Sequence, residues 1–71
     1  MTAEEWIRTF AEEIGVAAPT QEETDEILRL AAVAAHASER TAAPIACWLA
    51  GSSGRSLREA RETAEMLATA T

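Results

Sequence analysis

Seventy-one residues carrying a formal net charge of −6, with 12 acidic side chains against 6 cations, allow one domain and disfavour nonspecific attraction to nucleic acid or an anionic membrane. All the cations are arginine, and nearly half the chain (48%) is hydrophobic, much of it alanine. With a single cysteine, Cys47, no disulfide can form within the chain.

Alanine is the best helix former, and small alanine faces let helix axes approach closely. The expectation is therefore an all-α fold. The large apolar side chains are Trp6, Ile7, Phe10, Ile14, Val16, Ile27, Leu28, Leu30, Val33, Ile45, Trp48, Leu49, Leu57, Met66 and Leu67. Together they can fill one thin core, with few left over, and dimerisation could extend it.

Thr2 and Glu5 have the spacing of a capping box and open a helix over about residues 3–14. Trp6, Ile7, Phe10, Ala11 and Ile14 recur at helical spacing as one apolar stripe, with Glu4, Glu5, Glu12 and Glu13 largely off it. Gly15 suits a left-handed C-cap. Pro19 breaks the connector, and Thr20 with Glu23 forms a second capping box. The acidic residues Glu22, Glu23, Asp25 and Glu26 match the dipole of the helix start and read as a solvated cluster; no calcium-loop pattern accompanies them.

The second helix is expected over about residues 21–40. Ile27, Leu30, Ala31 and Ala34 form one stripe, with Leu28, Ala32 and Ala35 beside it. A helix apolar over most of its circumference is normally enclosed by neighbours. The residue before a proline resists helical angles, so Thr41–Ala43 should break the run, with Pro44 as first residue of a short helix over about 44–50. Ile45, Trp48 and Leu49 give that helix an apolar face, and Gly51 can end it. After the Gly51–Ser56 loop, Ser56 and Glu59 form a third capping box for a helix over about 57–68. Leu57, Ala60, Ala64, Leu67 and Ala68 are its inward face, and Arg58 and Glu62 are spaced for an ion pair. Residues 69–71 should fray. The expected architecture is a compact bundle of three long helices plus one short helix after Pro44, a single domain over 1–71.

Two groupings could bind a ligand. His36 and Arg40, four apart, would share one face of the second helix and could grip an anion; equally, they suit the cation-favouring end of a helix. The Gly51–Ser56 loop leads into a helix N-terminus, where Ser52, Ser53 and Arg55 could hold a phosphate or carboxylate. It is no nucleotide P-loop, since only two residues separate its glycines and arginine stands in place of lysine. The lone His36 and lone Cys47 lack companions for a zinc site, Cys47 reads as an inert thiol, and no third catalytic partner joins His36 and Arg40. No metal, cofactor or enzymatic activity is expected. No stretch has the length of a membrane span and no secretory leader is recognisable, so the expected compartment is the cytoplasm.

Trp6, the Ala11–Gly15 run, Ala35-His36, Arg40, Ala42-Ala43-Pro44 and Gly51 resemble a small actinobacterial helical domain of uncharacterised function. That domain also occurs attached to molybdenum cofactor guanylyltransferases. The resemblance spans roughly Glu4 to Gly54, and departs at Thr41, where proline is common, and at Ala46-Cys47, where threonines are common. It implies a helical accessory module with a protein partner, a molybdenum cofactor nucleotidyltransferase, and transfers no catalytic residue. The alternatives are a small anion- or nucleotide-binding domain using His36, Arg40 and the Gly51–Ser56 loop, and a self-associating structural domain, with a homodimer as its product.

Overall fold

The computed structural model describes residues 1–70. They form four helices and no strand: α1 (Ala3–Ile14), α2 (Gln21–Ala37), α3 (Ala42–Ser52) and α4 (Leu57–Ala70). α4 thus runs through two of the three residues expected to fray, and Thr71 lies outside the described residues.

All three capping boxes form. The Thr2 and Thr20 hydroxyls each accept from the backbone N–H three residues on, and the Glu5 and Glu23 carboxylates accept from the Thr2 and Thr20 amides. Ser56 and Glu59 make the same exchange, with the Glu59 N–H donating to Ser56 Oγ at 3.1 Å. Gly15 closes α1 in the left-handed region at φ 78°, donating to Ala11 and Glu12 carbonyls. These contacts are local, and local chemistry suffices to place them.

The elbow between α2 and α3 differs from the expectation. α2 ends at Ala37, three residues early, because Ser38 leaves helical angles while its hydroxyl and amide both donate to the Ala34 carbonyl. The break therefore falls at Ser38–Thr41, and α3 starts two residues before Pro44. Pro44 is the third residue of α3, where a helix leaves its amides without internal partners anyway, so the missing donor costs little. Gly51 lies inside α3 instead of ending it. At 11 residues α3 is nearly as long as the 12-residue α1, so the long and short classes merge.

α2 is central in that α3 and α4 both pack against it, while α3 and α4 touch only marginally. Small residues carry this packing. Ala43, Ala46, Cys47 and Ala50 recur at helical spacing on the covered side of α3, and Ala60 and Ala64 on that of α4. The large face expected to be the inner side of α3 is the outer one: Ile45, Trp48 and Leu49 are exposed. In a helix apolar all round, backbone approach decides which side turns inward, and alanines permit the closer approach. Leu67 likewise points out, although its spacing predicts the inward face of α4.

The second stripe of α2 is uncovered at Leu28 and Ala32, because α1 does not close over it. No Cα of α1 comes within 8 Å of one in another helix. Of the fifteen large apolar side chains, only Leu30 is buried; Ile27, Val33 and Leu57 are half-buried and the rest are exposed. The core is made chiefly of alanine around Leu30, and the expected thin core of large side chains is absent.

Candidate functional site

Two arrangements could carry function: the polar groups around the α2–α3 elbow and the loop before α4, and the uncovered apolar face of α1.

The polar candidates do not converge. His36 stays in the last turn of α2, but Arg40 falls in the irregular segment after it, so the helical relation that would set them on one face is lost. Both are exposed. Ser52 is the last residue of α3. Ser53 uses its hydroxyl locally, donating to the Ala50 carbonyl at 2.8 Å and accepting from the Arg55 amide at 3.1 Å. The Arg55 guanidinium lies 4.0 Å from the Glu59 carboxylate. Ser53 and Arg55 line an open groove between α3 and α4, with Leu49 and Leu67 on its walls; His36, Arg40 and Ser52 lie outside it. Gly54, at φ 77°, turns the chain there in the left-handed region. Cys47 is half-buried, its thiol 3.9 Å from the Ile27 carbonyl, and burial pushes its pKa up, away from the reactive thiolate.

One ionic cluster escaped the sequence reading. Arg61 of α4, which the expected inward face of that helix does not include, is buried, and its guanidinium binds Glu26 of α2 through Nε at 2.7 Å and a terminal nitrogen at 3.3 Å. Its other terminal nitrogen donates to Glu65 at 2.8 Å, and Arg29 lies 3.9 Å from the same carboxylate. The hydrogen bonds donated by Arg61 hold the Glu26 carboxyl below the usual carboxylate range, and donating to Glu26 and Glu65 pushes the guanidinium pKa further up. Glu26 is therefore no member of a solvated acidic cluster; it clamps α4 onto α2. The i,i+4 pairs near and along α4 are Arg55–Glu59 and Arg61–Glu65, in place of the expected Arg58–Glu62. The local signal is the i,i+4 spacing of Arg61 and Glu65; the pairing with Glu26, 35 residues away, leaves none in the sequence.

The apolar candidate is larger. On α1 the Trp6 and Phe10 rings stack with centroids 5.1 Å apart and planes 18° from parallel, yet the residues are 55% and 49% exposed. Ile7 and Ile14 extend the face along the helix and are exposed too. On its flank Ile7 and Leu28 share a shallow cleft with Pro19. Glu4 and Arg8 pair at 3.4 Å beside it. A helix that keeps a stacked aromatic pair exposed presents an amphipathic surface suited to another molecule.

The family described as a domain of unknown function, DUF6457, matches residues 1–71. The chain belongs to that family. No curated protein and no solved structure matches it. Across the described part of this DUF6457 chain no three His, Cys, Asp or Glu side chains lie close enough to hold a metal ion, and no helix is long and apolar enough to cross a membrane.

Proposed function

We propose that the domain is a noncatalytic helical interaction module that docks a protein partner through the Trp6–Phe10 face of α1. The observation carrying this reading is the stacked, exposed aromatic pair on a helix that its own bundle leaves uncovered. Aromatic side chains held in place dominate protein interfaces because they bring large contact area with little rotamer entropy to lose. The resemblance to domains attached to molybdenum cofactor guanylyltransferases supplies the partner: a cytoplasmic nucleotidyltransferase of molybdopterin guanine dinucleotide synthesis.

Titrating the purified guanylyltransferase from the same genome into ¹⁵N-labelled domain tests this. The expected result is line broadening and shifts centred on Trp6, Ile7, Phe10 and Ile14, lost in the Trp6→Ala/Phe10→Ala variant. An unchanged spectrum at saturating enzyme would remove the molybdenum assignment. Shifts confined to His36, Arg40 and Arg55 would move the docking face away from α1.

A further inference from the structure

The chain exposes more surface than one self-contained copy needs. A folded monomer of 7.6 kDa is expected to present about 4,300 Å², from the power-law dependence of surface on mass. This chain presents 5536 Å², an excess of about 1,200 Å². Its radius of gyration, 12.8 Å, likewise exceeds the roughly 11 Å expected for 71 residues. A standard stable interface removes about 800 Å² from each partner, and obligate pairs remove more. The excess is therefore of the size one protomer gives up in a permanent dimer.

Two exposed apolar faces could supply it. One is the α1 face of Trp6, Phe10 and Ile14; the other is the outer face of α3, with Ile45, Trp48 and Leu49, where Trp48 is 69% exposed. At a rise of about 1.5 Å per residue both helices run roughly 17–18 Å, so either can lie along the other. Their flanking charges differ. α1 carries Glu4 and Glu5 at one end and Glu12 and Glu13 at the other, with Arg8 between them. α3 contains no charged residue; Glu39 and Arg40 precede it and Arg55 follows it. Arg40 has no ion-pair partner among the described residues, and Arg55 reaches only Glu59, at 4.0 Å. Arg55 therefore offers an acidic end of α1 its best counter-charge, while at the other end Glu39 offsets Arg40. The Gly15–Thr20 connector places α1 beside the start of α2, where Ile7 adjoins Leu28, and holds it clear of its own α3.

We infer that two copies of this chain pair reciprocally, each laying its α1 on the outer face of the other's α3. The arrangement is isologous: whatever α1 residue touches α3 in one direction touches it in the other, which closes the pair, so a second copy and a heterologous partner occupy α1 in turn and compete for it. The inference rests on the reading of α1 as a docking face and names a second copy as an occupant of it.

Sedimentation equilibrium of the whole chain, from micromolar to about 0.5 mM, tests this against the pairing expected of apolar hot spots. The expected species is the dimer, at twice the 7.6 kDa chain mass. Trp6→Ala/Phe10→Ala and, separately, Trp48→Ala should each raise the dimer dissociation constant about 30-fold or more. All three side chains are exposed in the single chain, so far-UV circular dichroism of the variants should stay that of the parent. The decisive measurement mixes the two variants. Each mixed pair keeps one intact contact, the unaltered α1 of one variant on the unaltered α3 of the other, so the mixture should associate more tightly than either variant alone.

A chain that sediments as a monomer at the highest concentration overturns the proposal. So does a dimer that Trp48→Ala leaves intact, because that would mean α1 pairs with α1. Neither result touches the heterologous docking reading, which the guanylyltransferase titration tests separately and which fails if the Trp6→Ala/Phe10→Ala variant still engages the enzyme as the parent does.

Discussion

Leu30 and Leu28 sit two residues apart on α2 and offer a controlled comparison of the packing. Leu30 is 4% exposed and Leu28 63%. Truncating a buried leucine to alanine removes its transfer free energy and leaves a cavity, together about 2–5 kcal/mol. Around Leu30 the walls are Ala46, Ala50, Ala60 and Ala64, which cannot swing inward, whereas Leu49 and Leu67 on the groove edge can relax partway. That places Leu30→Ala near the middle of the range, about 3 kcal/mol. A chain this size has about 4–11 kcal/mol of stability in all, so the loss is about a quarter of it or more. Thermal melts followed at 222 nm should show Tm falling by roughly 12–24 °C for Leu30→Ala. Leu28→Ala should stay within about 0.5 kcal/mol of the parent. Both are to be compared at one protein concentration, since association would shift each midpoint. If Leu30→Ala costs under about 1 kcal/mol, or the two variants cost the same, the alanine-lined core around α2 is wrong.

The Glu26–Arg61 clamp predicts a pH signature with a definite sign. Glu26 is more acidic in the folded chain than in the unfolded one, so its contribution is complete above the usual carboxylate range and fades as pH falls through its lowered pKa. The stability gap between the parent and Glu26→Gln, measured by urea unfolding, should hold steady from neutral pH upward and shrink in acid; a gap that widens on acidification contradicts the pairing. The glycines of the α3–α4 connection should respond in opposite directions. Gly51 is helical with open space where a Cβ would project, so Gly51→Ala should stabilise by about 0.5–1 kcal/mol. Gly54 has equal room but sits at φ 77°, so Gly54→Ala should cost about 1–2 kcal/mol. Equal shifts in the two melting temperatures would contradict the backbone assignment.

Much of the fold is legible from local chemistry. Thr2, Thr20 and Ser56 announce helix starts because their partners lie three residues away, and Gly15 announces an end through its own backbone angles. What the sequence leaves ambiguous is decided by tertiary contact. α3 is apolar on every side, so its period does not reveal whether the alanines or Ile45, Trp48 and Leu49 face inward. Arg61 reads as a surface cation until Glu26, 35 residues away, is brought beside it. Ser38 overrides the reach of Pro44 by capturing the Ala34 carbonyl first. At the candidate site the amphipathic stripe of α1 is plain in the sequence. Its lack of cover is not, because amphipathicity specifies that a face will be buried and not against which molecule.

The separation of α1 from the other helices divides the chain into two cooperative units. Residues 21–70 share α2 as a common spine and open together, so their slowest amides report global unfolding. A lone 12-residue helix is marginal in water, and its amide protons are guarded only by local unwinding wherever nothing covers it. If two copies pair as inferred, the amides of residues 3–14 should gain protection from deuterium as protein concentration rises, while those of residues 21–70 keep the protection they have.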